Sequence, residues 1–429
     1  MTAILWILLV LGALWTAIPL IDRRYDLKKR GFEVAPGLLL WRTKRGLGLL
    51  DRIASSPKRL WEVFGIAGAA AGGILTVTVF LNLTDKAIGI IGAIISPPPA
   101  GGGVPGVVPI VPGWTVPLGM IPPFLIAIAT VLLVHESAHG IVARRVGIPV
   151  KSAGLLVLAV IPGAFVEPDE EKMKKSPVSE RLQVYGAGPF ANILFGFLCL
   201  GILLALITPL PGLYVAGVFD NTPAGENLRP GMRLMEVGYA GEPGIEIRDY
   251  RDLDDFMKDT RPGDNIFVVT DSGNFRFTLR SYPAPGESLT LITEGGNVSV
   301  AFGIGGENNG FLGVSTPYYP VPKSKIAVDV FAGLIAFWKS SGLAGGGINR
   351  YSYDYRAPGF AIDLLKWMFV LNLGIGLFNL LPLKPLDGGH IAECLAEKAS
   401  SRSAAKKVAT VLSAISLSVL VVNLLAWVA

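Results

Sequence analysis

The sequence has 429 residues, of which 51% are hydrophobic and 17% are charged. This composition excludes an ordinary soluble enzyme and indicates a membrane protein that carries a polar domain. The net charge of +5 is modest, and the basic residues stand beside apolar segments, where they report membrane orientation and give no sign of nucleic-acid binding. Cys199 and Cys394 stand alone, so neither a disulfide framework nor a thiolate metal site is predicted.

The N-terminal segment, residues 2–21, is apolar and has about the 20 residues that a helix needs to cross a bilayer. It lacks the basic start of a cleaved signal peptide, so we interpret it as a retained first span. The connection after it is rich in arginine and lysine, which places that connection in the cytoplasm. Within the connection, residues 38–53 mix leucine with basic residues and are predicted to form an amphipathic segment on the inner membrane surface.

Two further spans are predicted before residue 146. The second span, residues 60–83, runs outward and is rich in small residues that allow close helix contact. The Pro- and Gly-rich loop that follows is predicted to lie outside and to be irregular at residues 101–112. The third span begins at Gly119 and ends at the cytoplasmic surface with Arg144 and Arg145.

The third span contains the sequence His135-Glu136-Ser137-Ala138-His139. Two histidines four residues apart lie on one face of a helix and can bind one metal ion, while Glu136 can act as a general base. This spacing is typical of zinc hydrolases; the alternatives are a chance match on a buried helix or histidines bonded only to backbone. Ionisable groups in an apolar helix favour the functional interpretation. At about 1.5 Å per residue, the pair lies roughly 7–14 Å from the boundary at Arg144.

Residues 150–166 are too short, and too broken by Pro162 and Gly163, to cross the membrane. We predict a re-entrant hairpin that borders the active site, with an ordinary interfacial loop as the alternative. The fourth span, residues 182–209, contains Asn192. From spacing alone, this asparagine either faces the metal cavity or hydrogen-bonds a neighbouring helix.

From residue 214 the sequence becomes polar, and alternating apolar residues between turns predict a water-soluble α/β insertion on the outer face. A strand, the turn at residues 221–224, a second strand, a helix at 250–258 and two more strands follow in order. This order resembles a PDZ domain over about 70 residues, with a generic α/β module as the alternative. Residues 283–322 are predicted to be a β-rich extension.

Residues 326–338 are predicted to form an amphipathic helix at the outer interface. If they crossed the membrane instead, the basic segment 398–407 would lie outside, against the positive-inside rule. The fifth span, residues 361–381, therefore enters from outside and the sixth, residues 408–428, leaves again. The predicted domains are residues 1–58 (first span and basic segment), 59–212 (membrane core with the histidine pair), 213–322 (PDZ-like domain and extension) and 323–429 (amphipathic helix and C-terminal membrane core).

The fifth span ends in Asn379-Leu380-Leu381-Pro382-Leu383-Lys384-Pro385-Leu386-Asp387-Gly388-Gly389-His390. The prolines break the helix and the glycines permit tight turns, so Asp387 can reach a partner helix. Catalytic zinc sites usually hold three protein ligands, and two histidines with one carboxylate are a familiar set. Asp387 is therefore predicted to be the third ligand. His390 is predicted to support the site without binding the metal, because three ligands suffice.

Several motifs together resemble the site-2 proteases, a family of intramembrane zinc metalloproteases, in their prokaryotic form. They are the HExxH, the re-entrant segment, Gly188-Pro189-Phe190-Ala191-Asn192, the PDZ-like insertion and the NxxPxxPLDGG run. The resemblance covers most of the chain. It implies that His135, His139 and Asp387 are the zinc ligands. It also implies that Glu136 is the catalytic glutamate and that Asn192 and Asn379 lie near the scissile bond.

We therefore expect an α-helical polytopic membrane protein of about six transmembrane helices, with a re-entrant hairpin and an extracytoplasmic PDZ-like α/β domain. The expected activity is that of a zinc metalloendopeptidase with one Zn²⁺ per chain, located in the cell membrane with its active site toward the cytoplasm. Its expected partners are the lipid bilayer and transmembrane protein substrates, which it cleaves in or near their spans in regulated intramembrane proteolysis.

Two parts of this interpretation leave alternatives open. The PDZ-like domain either filters and positions substrates or forms a rigid lid. The alternative functions are a proteolytically silent metal-binding scaffold, against which the intact Glu136 argues, and a metal transporter, which would not need a peptide-binding insertion.

Overall fold

The structure of the protein is a computed structural model. It describes residues 15–19, 21–22, 24–35, 37–55, 57–95, 116, 118–158, 161–284, 286–293, 296–302, 309–316 and 353–425. Three predictions lie outside the described residues: most of the first span, the irregular loop at 101–112 and the interfacial helix at 326–338.

The described helices correspond to the second to sixth predicted spans, with shorter helices between them. They are α1 (Lys44–Ser55), α2 (Lys58–Ile95), α3 (Ile121–Arg145), α4 (Glu170–Lys175), α5 (Val178–Leu206), α6 (Pro223–Asn227), α7 (Tyr250–Lys258), α8 (Gly359–Asn379), α9 (Asp387–Ala399) and α10 (Arg402–Leu425). Of the described helices, five are long and apolar enough to cross a membrane, namely α2, α3, α5, α8 and α10. The chain is therefore a multi-pass helical membrane protein.

Local sequence explains where several of these helices begin and end. Pro122 lies in the first turn of α3, where a missing N–H is tolerated. The carboxylate of Asp169 accepts hydrogen bonds from the first backbone N–H groups of α4 and so caps that helix. The helix α8 ends at Asn379, and Pro382 and Pro385 prevent the chain from continuing as a helix before Asp387.

The described strands are short and pair only in the antiparallel direction. They are β1 (Phe32–Ala35), β2 (Leu38–Arg42), β3 (Val150–Leu158), β4 (Ile161–Pro168), β5 (Ile207–Pro209), β6 (Leu213–Tyr214), β7 (Gly217–Phe219), β8 (Arg233–Tyr239), β9 (Ile245–Glu246), β10 (Asn265–Thr270), β11 (Gly273–Thr278), β12 (Arg280–Ser281), β13 (Ser288–Thr293), β14 (Gly296–Ala301), β15 (Gly310–Phe311), β16 (Val314–Ser315) and β17 (Tyr353–Tyr355).

The chain divides into two compact units, and the first comprises Met1–Asp85, Ile110–Leu203 and Gly359–Val421. The helix α3 has neighbours on two faces in this unit. Toward its N-terminus, Val131 belongs to one buried apolar cluster with Leu371 of α8. Toward its C-terminus, Val142 belongs to another with Val184 of α5. The buried residues of α3 are therefore covered by neighbouring segments of the unit.

Small residues bring α2 and α5 into close contact. A Cβ atom on Gly186 of α5 would lie only 2.3 Å from the backbone oxygen of Gly68 in α2. Glycine at position 186 therefore lets the two backbones approach, as small residues do in membrane helix pairs. This contact fixes the position of α5 at Gly186, two residues before Gly188, which lies against α3.

A four-stranded sheet in the order β1-β2-β3-β4 lies beside α3. Strands β3 and β4 form a hairpin in which Leu158 pairs with Ile161, so the hairpin predicted at residues 150–166 is present. The prediction of an amphipathic segment at 38–53 is wrong for residues 38–42, which form β2. The reason is a partner distant in sequence: Leu40 pairs with Leu156 of β3, and only residues 44–55 form a helix.

The side chain of Arg42 in β2 links three strands of this sheet. Its Nη1 donates to Ser152 Oγ at 2.6 Å and to Glu167 Oε2 at 2.8 Å, which joins β2 to both strands of the hairpin. Hydrogen bonds from Ser152 and Arg42 lower the pKa of Glu167, so its carboxylate stays ionised at neutral pH.

The second unit comprises Lys86–Pro109, Leu204–Pro358 and Val422–Ala429. It contains a sheet in the order β11-β10-β8-β6, with β9 paired to β8, and a second sheet in the order β14-β13-β7-β16. A buried apolar core includes Leu234, Ile266 and Phe256 of α7. The helix predicted at residues 250–258 is α7, whose start is fixed by a capping box between Asp249 and Asp252.

Candidate metal centre

The histidine pair lies in the part of α3 that is covered by other helices. His135 and His139 are 5% and 9% exposed, and they occupy positions four residues apart on one face of the helix. The Nε2 atoms of the two rings lie 3.0 Å from each other, close enough to bind one metal ion. Two nitrogen ligand atoms are therefore brought together inside an apolar helix.

Asp387 reaches this place from the other end of the chain. It is the first residue of α9, and seven residues lie between it and the last residue of α8. The turn between the helices is tight: a Cβ on Gly388 would lie 2.2 Å from the backbone oxygen of Leu380. Glycine at 388 is what allows the chain to fold back and present the Asp387 carboxylate.

The carboxylate completes a compact triangle of ligand atoms. Asp387 Oδ2 lies 3.1 Å from His135 Nε2 and 3.3 Å from His139 Nε2. Ligands about 2.0–2.1 Å from a tetrahedral zinc ion lie roughly 3.3 Å from one another. The separations and the donor set of two imidazoles and one carboxylate therefore fit zinc, and these three residues form the metal-ligand group found in the described part of the chain.

Groups on α5 orient both imidazole rings. His139 Nδ1 lies 2.7 Å from the backbone oxygen of Val184, to which it can donate its proton, leaving Nε2 free to bind a metal. On the other ring, His135 Nδ1 lies 3.1 Å from Asn192 Nδ2. Metal-binding histidines typically donate their second ring N–H to an acceptor, and the Val184 oxygen fixes the His139 ring and its tautomer in this way.

Gly188 of α5 provides the space for the two rings. A Cβ atom at this position would lie 2.3 Å from His139 Nε2 and 2.8 Å from His135 Cε1. No real side chain tolerates such contacts, so α5 can approach the histidine pair this closely only with glycine at 188.

Glu136 lies beside the triangle and contacts the hairpin. Its Oε2 accepts a hydrogen bond of 3.1 Å from the backbone N–H of Val166 in β4. A Cβ on Gly140, one turn further along α3, would lie 2.9 Å from Val166 Cγ1, so the helix and the strand are in close contact here. The carboxylate of the residue next to His135 thus contacts one strand of the hairpin.

Two other predicted residues lie near the site without joining the ligand group. The His390 ring stacks on Tyr185 of α5, with ring centroids 4.7 Å apart. Asn379 is the last residue of α8, at the start of the turn that leads to Asp387. The structure therefore brings together the three predicted ligands, Glu136 and Asn192, and leaves His390 in a stacking contact.

The sequence that forms this site matches a known protein family. A family model described as Peptidase family M50 matches residues 123–423, which include all three ligands. The chain belongs to this family. M50 is the family of the site-2 proteases, so the predicted resemblance is confirmed.

Similar proteins from several organisms support a membrane metalloprotease. An uncharacterized protein of Methanocaldococcus jannaschii is 26% identical over 92% of this chain and 87% of its own length. A Brucella suis protein named "Putative zinc metalloprotease" is 26% identical over 64% of this chain and 84% of its own length. A "Membrane-bound transcription factor site-2 protease homolog" of Arabidopsis thaliana is 27% identical over 39% of this chain and 31% of its own length.

Sequence reasoning missed three contributions to this site. They are the Val184 backbone oxygen, the space at Gly188 and the Val166 N–H. The run Gly186-Ala187-Gly188 was a usable signal, because small residues in a span mark a close approach of helices. The two backbone groups leave no trace in residue type.

Proposed function

We propose that this protein is an intramembrane zinc metalloprotease that hydrolyses peptide bonds within or near the transmembrane segments of other proteins. The observation that carries the proposal is that Asp387 meets His135 and His139, which lie with Glu136 in a helix apolar enough to cross a membrane. Buried ionisable groups in such a helix are costly and are retained where they serve a function.

The chemistry follows from the residues present. A zinc ion held by His135, His139 and Asp387 would lower the pKa of its water toward about 7 and polarise the scissile carbonyl. Glu136 takes the proton of the attacking water and passes it to the leaving nitrogen, as a general base and then a general acid. The Val166 N–H, which now binds Glu136 Oε2, positions that carboxylate between the ligand group and the strand β4.

The edge of β4 is our candidate for substrate binding. The N–H of Val166 points to Glu136 and away from β3, so the N–H of Ala164, two residues earlier, faces the same free edge. A cavity of about 450 Å³ lies beside this edge, between α3 and the hairpin, lined by apolar residues such as Leu125, Ala129 and Leu133. A substrate segment that unwinds from its helix could pair with the edge as an added strand.

The proposed topology places the active site toward the cytoplasm and the PDZ-like unit outside. Its support is the basic connection after the first span and the pair Arg144 and Arg145 at the end of α3. The proposed role of the PDZ-like unit is to filter or position substrates before they enter the membrane core. Among the described strands, β16 pairs with β7 alone and leaves one edge open, which suits the addition of a peptide strand.

The direct test is cleavage in liposomes by the full chain. The purified protein is reconstituted with a single-span substrate labelled at both ends, and cleavage is followed with and without a zinc chelator. We expect cleavage that the chelator stops and added zinc restores. The Glu136→Gln variant should cleave about 10²–10⁴-fold more slowly while it keeps its zinc, because only the proton transfer is lost.

Two results would oppose the proposal in different ways. Undiminished cleavage by the Glu136→Gln variant would show that another group is the base. Zinc transport into the liposomes without any cleavage would favour a transporter over a protease.

A further inference from the structure

Asn192 is the most deeply buried polar residue at the metal centre. Its exposed fraction is 0%, and it lies in α5 with its Cβ facing α8, where a Cβ on Gly376 would lie 3.2 Å away. Glycine at 376 therefore leaves room for the asparagine between the two helices. A buried amide in a membrane helix needs hydrogen-bond partners, so its contacts define its role.

One amide atom of Asn192 has a partner and the other has none. Nδ2 lies 3.1 Å from His135 Nδ1, whereas Oδ1 is buried and finds no hydrogen-bond partner among the described residues. In this orientation Nδ2 donates to a bare Nδ1, and the ring proton is on Nε2, from which it can reach Asp387 Oδ2 at 3.1 Å. That tautomer suits the ligand group without metal, because Nε2 then has no lone pair to offer.

Metal binding demands the opposite tautomer. Nε2 must lose its proton to bind zinc, and the proton then resides on Nδ1. A half-turn of the Asn192 amide brings Oδ1 to the place of Nδ2, where it accepts a hydrogen bond from Nδ1–H. An amide is a side chain that can serve both tautomers, since it carries a donor and an acceptor at equivalent positions.

We propose that Asn192 is a positioning residue that sets the tautomer of His135 and thereby its affinity for zinc. This inference rests on the proposed function and differs from the role near the scissile bond that the family resemblance implies. The geometry supports the difference: Asn192 contacts Nδ1, whereas Nε2 faces His139 and Asp387. Its side chain is fully buried behind the ring that it contacts.

The test compares three variants of the full-length protein by zinc competition against a chelator, with no substrate present. Asn192→Leu removes both amide atoms and should weaken zinc binding about 10–100-fold, the usual effect of losing a partner of a metal-binding histidine. Asn192→Asp keeps an acceptor beside Nδ1 and should bind zinc at least as tightly as the wild type. Asn372→Leu is the matched control, because Asn372 is also 0% exposed in a membrane helix but donates to the backbone oxygen of Met368 in its own helix.

Cleavage at increasing zinc concentration separates positioning from substrate support. If Asn192 acts through His135, excess zinc restores kcat of the Asn192→Leu variant to near the wild-type value. Wild-type zinc affinity in Asn192→Leu, with a kcat that zinc does not restore, would overturn the inference. Should Asn192→Leu fail to fold, a loss of zinc affinity in Asn192→Asp would overturn it equally, because a donor role alone predicts that loss. A wild-type protein that binds no zinc would instead contradict the proposed function itself.

Discussion

The absence of a Cβ atom at Gly188 leaves the space that the two imidazoles need in order to share a metal ion. The position of a Cβ at 188 would fall 2.3 Å from His139 Nε2, which is the atom that must face the metal. An alanine there has to push the ring or the helix α5 away. Either movement disturbs the ligand triangle that the three residues form.

We predict that Gly188→Ala weakens zinc binding about 10–100-fold, since overpacking a well-packed site typically costs about 1–3 kcal/mol. Competition with a chelator measures the change. Gly201→Ala is the matched control in the same helix, because a Cβ at Gly201 meets nothing within 4 Å. Equal zinc affinity of both variants would show that α5 does not approach the histidine pair as described.

At the residue scale, spacing predicted the ligands but not their surroundings. Residues four apart in a helix lie on one face, so the placement of His135 and His139 does not depend on the rest of the fold. The prolines before Asp387 indicate that the helix ends there. The contact of His139 with the Val184 oxygen depends on how α5 is rotated against α3. That rotation is set by packing between distant segments, so a single sequence does not contain it in readable form.

The hairpin matters at the scale of an element, because only one of its strands offers a free edge. Strand β3 lies between β2 and β4, so both of its edges are already paired. Strand β4 is the last of its sheet among the described residues, and alternation from Val166 places the N–H of Ala164 on the edge that β3 does not pair.

We predict that Ala164→Pro slows substrate cleavage about two- to tenfold, as the loss of one backbone hydrogen bond of about 0.5–1.5 kcal/mol implies. Zinc content should stay unchanged, because Ala164 does not contact the ligands. Ala164→Ser keeps the N–H and serves as the control in the liposome assay. Wild-type rates for Ala164→Pro would exclude pairing of the substrate at this position.

Element boundaries were predictable where the signal is local. The helix at residues 250–258 and the end of α8 before its prolines were both predicted, and both predictions agree with the structure. The strand Leu38–Arg42 was not predicted, because its pairing with β3 joins residues more than a hundred positions apart. Its mixture of apolar residues and arginine is equally typical of an amphipathic helix.

At the scale of the whole molecule, the membrane core does not determine the role of the unit that contains the strands β6 to β16. Strand β7 pairs with β13 and β16, so a deletion that removed β7 but kept the later strands would leave β13 and β16 without their partner. A useful deletion therefore replaces residues 213–315 as a whole by a flexible linker.

We predict that this deletion broadens substrate choice. Substrates with long outer segments, which a filter would exclude, should then be cleaved nearly as fast as substrates trimmed outside. The ratio of the two rates in liposomes measures the change, and Glu136→Gln in the deleted chain controls for contaminating proteases. An unchanged ratio would favour a rigid lid over a filter.

Hydropathy predicted the long apolar helices in the described part of the chain. Five of the expected spans correspond to described helices that are long enough to cross a membrane, while the first span lies largely outside the described residues. What hydropathy does not contain is the meeting of α3 with the segment after α8, which are more than two hundred residues apart. That meeting was inferred from ligand chemistry, and the whole account depends on it.

Zinc content measured by mass spectrometry on the purified full-length protein tests this meeting most directly. We expect one zinc ion per chain in the wild type and almost none in Asp387→Ala. We expect one again in His390→Ala, because the His390 ring stacks on Tyr185 and is not a ligand. A full complement of equally tightly bound zinc in Asp387→Ala would contradict the account, because the carboxylate after α8 would then not be part of the metal centre.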